Sequence, residues 1–318
     1  MPETEIQDDK APYVVPFILS LLSEHQAQHL SEASPAPFFI GLNGVQGAGK
    51  SVLVEILKRT LSSPPHNLST VVFSLDDFYL SHADQVALAN KHSDNPLLQH
   101  RGQPSTHDIP LALSVFASLK QNKPTKIPQY NKAAFSGQGD RIPESEWEPV
   151  NTAPSSPVRV VLFEGWCVGF RPLSEEALVA KHAAAVQARQ KSTPSNPYTG
   201  RLGHNTLESV TTINEALKSY DALTAQLDAF IHIDAQNPQY VYRWRVEQEA
   251  GLRATRGTGM TDVQVKEFVD GYYPAYELYT DTLREGVFSF DGARTDWRGR
   301  QLRLVVGEDR KVREVVRI

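Results

Sequence analysis

The sequence predicts an α/β fold built on a doubly wound parallel sheet, and three observations lead there. Phe38-Phe39-Ile40-Gly41-Leu42-Asn43 is an apolar run followed by a Gly-rich turn, a helical stretch over 50–61 and a second apolar run at 71–75. Strand, helix, strand in that order is a βαβ unit, whose two strands run parallel. Further predominantly apolar runs lie at 158–163, 230–233 and 287–290, as suits strands buried on both faces. Helical stretches lie between them, near 108–120, 208–226 and 237–252.

The remaining elements follow in chain order. Residues 12–30 alternate apolar and polar at helical spacing, which predicts an N-terminal helix lying outside the main core. Ser31-Glu32-Ala33-Ser34-Pro35-Ala36-Pro37 reads as a linker, so 1–34 forms an N-terminal extension and 35–318 one domain. The stretch 180–200, rich in Ala, Gln, Lys, Ser and Pro, predicts an exposed helix-and-loop insertion. The tail, 302–306 and 313–318 around Gly307-Glu308-Asp309, predicts a terminal hairpin. No internal repeat is present.

Composition narrows the function classes. The chain has 318 residues, 40% hydrophobic and 22% charged, with net charge −5. That is enough chain for a large covered sheet, and its acidic balance argues against broad nucleic-acid binding, which needs a basic footprint. The single cysteine, Cys167, excludes an intramolecular disulfide framework and a four-cysteine zinc site, and reads as a small buried hydrophobe. The N-terminus is acidic, unlike a secretory signal or an Arg-rich transit peptide. No apolar run approaches the ~20 residues of a membrane span. The expected location is cytoplasmic, with nuclear access open.

Gly44-Val45-Gln46-Gly47-Ala48-Gly49-Lys50-Ser51 matches the Walker A pattern at every fixed position, with a strand before it and a helix after. Glycines let successive N–H groups curl around phosphate oxygens, and the helix N-terminus adds its positive end. Lys50 is expected on the β- and γ-phosphates of ATP, and the Ser51 hydroxyl on Mg²⁺. The fold is therefore of the P-loop NTPase type.

Leu75-Asp76-Asp77-Phe78-Tyr79 ends the second strand, where doubly wound sheets line their ligand crevice. Asp76 is the expected base or orienting carboxylate for an attacking hydroxyl; Asp77 competes for that role or caps the following helix. Phe163-Glu164-Gly165 ends a third strand in an acid, a Walker B arrangement with Glu164 acting on Mg²⁺. Tyr242-Arg243-Trp244-Arg245, continuing to Arg253 and Arg256, predicts a helical lid over about 237–260. Arg245 and Arg253 are expected to close over the triphosphate, against the plainer reading of an exposed helix with Arg–Glu pairs. Two polar loops, one carrying Arg101, His107 and Asp108 and the other Tyr130, Lys132 and Arg141, are candidate substrate loops. A plainer role for Thr106 or Asp108 is to cap the helix starting near Ile109.

Together these motifs resemble the D-glycerate 3-kinase family of plants and fungi. The resemblance runs over about 36–280 and includes Ser74-Leu75-Asp76-Asp77-Phe78-Tyr79-Leu80, Asn95-Pro96-Leu97-Leu98, Thr106-His107-Asp108 and Gly137-Gln138-Gly139-Asp140-Arg141. It continues through Phe163-Glu164-Gly165-Trp166, Gly259-Met260-Thr261-Asp262 and Tyr273-Pro274-Ala275-Tyr276. The layout is similar, more distantly, to uridine kinase, pantothenate kinase and phosphoribulokinase. The resemblance implies ATP-dependent phosphorylation of D-glycerate on its 3-hydroxyl, with Asp76 at the position of the catalytic carboxylate. Where the family pattern has Tyr-Asp-Lys, this chain has Tyr130-Asn131-Lys132.

Two alternatives stand beside this expectation. One is a kinase for another small alcohol, a nucleoside or pantothenate, with Tyr130 and Trp166 stacking a base. The other is a nucleotide-dependent regulator without a small-molecule acceptor. Against a GTPase switch, none of Asn90-Lys91, Asn122-Lys123 and Asn131-Lys132 carries the Asp that a guanine signature needs two residues later. The Leu-Ser-Gly-Gly signature of ABC-type ATPases is absent as well.

Overall fold

The computed structural model describes residues 8–31, 34–154, 156–256, 259–289 and 296–318. Its centre is a six-stranded sheet: β1 (Phe38–Gly44), β2 (Thr70–Ser74), β3 (Val160–Gly165), β4 (Ala229–Ala235), β5 (Gln301–Val306) and β6 (Val312–Arg317). The spatial order is β6-β5-β4-β1-β3-β2. All neighbours pair in parallel except β5 and β6, which form the antiparallel terminal hairpin. β1 and β4 are buried along their whole length, as central strands covered on both faces must be. The chain runs from β1 to β2 and back to β3 on one side of β1, then crosses to β4 on the other, so the switch point of the sheet lies at the carboxyl end of β1.

Helices cover the faces: α1 (Ala11–Gln28), α2 (Lys50–Ser62), α3 (His82–Lys91), α4 (Ile109–Lys120), α5 (Glu175–Gln190), α6 (Leu207–Leu217), α7 (Asp221–Thr224), α8 (Tyr240–Arg256) and α9 (Asp262–Glu285). α4 begins where expected, and Asp108 is its cap, accepting from the Leu111 N–H at 3.0 Å.

Three expectations change. α1 does not lie outside the core: Val14, Phe17, Ile18, Leu21 and Leu22 are all buried in it. A fully buried apolar side chain contributes roughly 1.5–3 kcal/mol, so this face anchors the helix firmly. The apolar run at 287–290 is not a strand over its described residues. Val287 and Phe288 are buried in a turn after α9, and the Val287 N–H goes to the Gln301 side chain at 2.9 Å; Phe290 lies outside the described residues. The fifth parallel strand is β5.

The third change is α9, 24 residues long and absent from the sequence-based expectation. Pro274 inside it reads as a helix breaker. Yet Thr261 and Gln264 form a capping box, and Tyr272, Tyr276 and Tyr279 recur at helical spacing on its buried face. The stretch at 180–200 is a mostly exposed helix followed by a loop, and the chain just beyond it is strapped to α9. There the Glu277 carboxylate accepts from the Arg201 and Leu202 N–H groups, both at 2.7 Å.

Candidate active site

Three strand ends converge on the crevice. At the end of β1, Gly47 and Gly49 stand at φ +79° and +95°, conformations open to glycine. A side chain at Gly47 would meet Trp244 of α8 at 2.6 Å. The Lys50 ammonium turns back to donate to the Gly44 carbonyl at 2.8 Å, on the loop's own backbone. Burial depresses its pKa, while Glu164 and Asp76 oppose that shift. Ser51 is exposed on the first turn of α2.

At the end of β3, Glu164 lies in register with Ser74 of β2 and Leu42 of β1. Burial raises its pKa and Lys50 pulls it back down. Glu164 and Ser51 offer the hard oxygen donors that Mg²⁺ takes. Among the described residues no three His, Cys, Asp or Glu side chains gather into a metal site of their own. A magnesium ion that keeps water and phosphate oxygens as ligands needs only such a pair.

At the end of β2 the structure separates the two neighbouring aspartates. Ser74 and Asp77 cap a 3₁₀ turn over Leu75–Phe78: the Ser74 N–H donates to Asp77 Oδ2 at 2.8 Å, and Ser74 Oγ accepts from the Asp76 N–H at 3.2 Å. Burial raises the Asp77 pKa to about 6. The Asp76 carboxylate takes no part in the cap. Its Oδ2 meets Lys132 Nζ at 2.5 Å. Burial alone would raise the Asp76 pKa, but the Lys132 charge and hydrogen bond leave it below the ordinary aspartate value.

Lys132 comes from a flap, residues 129–142, whose short ribbon pairs Tyr130 with Arg141. Contacts from several segments hold the flap over the crevice. Arg101 donates to the Gly137, Gln138 and Lys132 carbonyls. Asp140 accepts from the His82 N–H at 2.9 Å. The His82 ring stacks on Phe135 at 3.8 Å. Asn131, where the family pattern has Asp, accepts from the Ala133 N–H and so shapes the flap's own turn.

The expected substrate cations therefore part company. Arg101 is engaged with flap carbonyls. Arg141 donates to the Tyr79 carbonyl at 2.9 Å and to the Asp108 carboxylate at 3.1 Å. Lys132 alone of the three meets a crevice carboxylate. His107 is buried, stacked on Tyr79 at 4.5 Å, with Nδ1 bonded to the Tyr220 hydroxyl at 2.6 Å and Nε2 without a partner. Burial lowers its pKa to about 4, so it is a neutral imidazole. Tyr130 packs edge-on to Tyr79, with Arg101 over its ring. Trp166 is buried among Phe170, Tyr272 and Tyr276, and is closed to a stacking base.

The lid arginines stand otherwise than expected. Arg245 is buried and bonded along its own helix to Gln248 at 2.7 Å and Glu249 at 2.5 Å. Arg253 joins the Met260 carbonyl and the Asp262 carboxylate at the start of α9. Arg–Glu pairing along α8 describes Arg245, though in a buried setting, while Arg253 pairs off the helix. The residues that sequence reasoning missed sit on α9 and around Tyr79. Tyr272 donates to the Arg101 carbonyl at 3.3 Å, and the Tyr276 hydroxyl lies 3.5 Å from the Gln46 N–H. The available signal was the tyrosine spacing at 272, 276 and 279.

Comparison with known proteins places the chain in a family. No protein-family model matches the chain. It is 39% identical to the uncharacterized kinase mug58 of Schizosaccharomyces pombe over 79% of this chain and 84% of that one. It is 32% identical to the chloroplastic D-glycerate 3-kinase of Arabidopsis thaliana, over 85% of this chain and 54% of the plant protein. Among solved structures, D-glycerate 3-kinase from Cryptococcus neoformans superposes with a TM-score of 0.85 at 35% identity, covering 98% of this chain and all of that one. The chain belongs to the D-glycerate 3-kinase family of P-loop kinases and, by that membership, is a phosphotransferase.

Proposed function

We propose that the chain transfers the γ-phosphoryl group of ATP to the 3-hydroxyl of D-glycerate. One observation carries this reading: the Asp76 carboxylate, left out of the cap that engages the Asp77 side chain, meets the exposed Lys132 ammonium at 2.5 Å on the crevice side. Asp76 and Lys132 together match an acceptor that presents a hydroxyl to the one and a carboxylate to the other. The names of the Arabidopsis and Cryptococcus relatives support it.

The phosphate-loop N–H groups and Lys50 bind the β- and γ-phosphates and hold the γ-phosphorus at the mouth of the crevice. Ser51 and Glu164 are the residues to hold Mg²⁺, which would neutralise phosphate charge. As the acceptor enters, its carboxylate draws Lys132 away from Asp76. Asp76 Oδ2 then accepts the proton of the 3-hydroxyl as that oxygen bonds to the γ-phosphorus. The bond from the γ-phosphorus to the bridging oxygen breaks and ADP leaves with that electron pair. The flap and the aromatic wall of Tyr79, Tyr130 and Tyr272 exclude water, which would otherwise compete as acceptor. A neutral alcohol has no group to draw Lys132 off, so nucleosides should be poor acceptors. The test is ADP release with D-glycerate, other hydroxy acids, uridine and pantothenate in parallel; turnover confined to a nucleoside or pantothenate contradicts the reading.

A further inference from the structure

The mechanism above makes no use of the C-terminal hairpin. Its tip nevertheless reaches the phosphate loop. Arg310 Nε donates to the Gly47 carbonyl at 2.7 Å. The same guanidinium lies over the Trp244 ring at 5.3 Å and pairs with Glu247 of α8 at 2.8 Å. Trp244, fully buried, donates its indole N–H to the Glu308 carbonyl at 2.6 Å. Arg243 reaches the Glu308 carboxylate at 3.0 Å. Hairpin tip, phosphate loop and α8 thus meet at one guanidinium. The hairpin is fixed from behind as well, because the Asp9 carboxylate accepts from the Val312 N–H at 2.7 Å.

The backbone of Arg310 points to a role beyond closing a turn. It stands at φ +62°, the left-handed region that favours glycine and asparagine. A hairpin selected only for stability would carry one of those here. The long side chain is kept in a disfavoured backbone conformation, and its three contacts all lie on the phosphate loop and α8. Such a conformation at a well-defined contact point is a common mark of function.

We propose that Arg310 is a positioning residue for nucleotide binding. This rests on reading 44–51 as the nucleotide site. The peptide from Gly47 to Ala48 is planar, so holding one edge fixes the other. Arg310 holds the carbonyl edge, and the Ala48 N–H is held by the Val45 carbonyl at 3.2 Å. A glycine-rich loop has little conformational preference of its own. Without the brace, ATP would have to order the loop on binding, which weakens affinity with no phosphate contact removed. Because α8 shares the guanidinium, the brace also ties the lid to the loop.

The test is Arg310→Gly, read by calorimetric titration with ATP and by steady-state kinetics. The left-handed backbone is relaxed by glycine, so the melting temperature should hold or rise. The Kd and KM for ATP should rise about tenfold, the scale of one lost charge-assisted hydrogen bond, while KM for the acceptor stays within about twofold. Arg310→Lys, which keeps a donor and a charge, should recover part of the ATP affinity. Arg313→Ala, whose partner is the exposed Asp309, should leave it unchanged. Unchanged ATP affinity in Arg310→Gly overturns the inference, as does a fall in melting temperature with ATP and acceptor affected equally. A wild-type chain that binds no nucleotide removes the phosphate-loop reading as well.

Discussion

The two halves of the crevice are built in opposite ways. The phosphate half is one contiguous segment, 44–51, set between β1 and α2. The acceptor half is assembled from separate segments: Asp76 after β2, Arg101 and His107 before α4, Lys132 on the flap, and Tyr272 on α9. A contiguous motif carries its geometry in its spacing. An assembled site does not, and its residues take their roles from whichever partner the fold brings to them. Arg101, Arg141 and Lys132 look equivalent as cations in the sequence, but only Lys132 meets a crevice carboxylate.

This contrast can be broken at its strongest point first. Lys50→Ala should abolish phosphoryl transfer at saturating ATP while leaving the melting temperature nearly unchanged, because the ammonium bonds loop carbonyls and carries no core packing. Wild-type turnover in that variant would remove the phosphate half from the account. On the acceptor side, Asp76→Asn should lower kcat about 10²–10⁴-fold, the usual range for a positioned base, with KM for ATP little changed.

Lys132→Ala sharpens the difference among the cations. KM for glycerate should rise about tenfold or more while KM for ATP holds, as expected for a lost charge-assisted pair. The pH profile should respond too. Lys132 lowers the Asp76 pKa against the effect of burial, so its removal raises that pKa. The acid limb of kcat/KM, which reports the free enzyme, should then move to higher pH. The Lys132 side chain is 57% exposed, so added salt should reduce the shift seen between the two enzymes.

The smallest effect belongs to Asp77→Asn, where kcat should change less than about threefold, since the capping oxygen remains. Its signature is in stability. The folded-state pKa of Asp77 is raised to about 6, so the folded protein holds a proton that the unfolded chain has released. Wild-type stability should therefore fall as pH rises from the ordinary aspartate value to about 6. Denaturant titrations of Asp77→Asn across that window should show a flatter slope. A large loss of kcat in this variant would exchange the roles of the two aspartates.

Legibility followed the same division. β1, α2 and β2 are where the strand–turn–helix–strand pattern predicts them, because local periodicity and one motif specify all three. α9 was hidden by Pro274, and the end strand was misplaced because Val287 and Phe288 are apolar for the sake of a buried turn. The packing of α1 could not be read from its own pattern, since an amphipathic helix does not name the surface it covers. At the site, the separation of Asp76 from Asp77 depends on the Ser74 cap, which the sequence permits at either residue. Arg245 and Arg253 looked like lid residues aimed at phosphate, and sequence spacing alone does not reveal that Glu249 and Asp262 hold them.

The central claim is that the Asp76–Lys132 pair serves an anionic hydroxy acid. Its most direct test is phosphorus NMR of the product formed from ATP and D-glycerate by the wild-type chain, with Asp76→Asn beside it. The account predicts a phosphate monoester on the 3-hydroxyl, formed together with ADP in equal amount and lost in Asp76→Asn. ATP turnover that ignores glycerate, or an ester that forms equally well in Asp76→Asn, would contradict it.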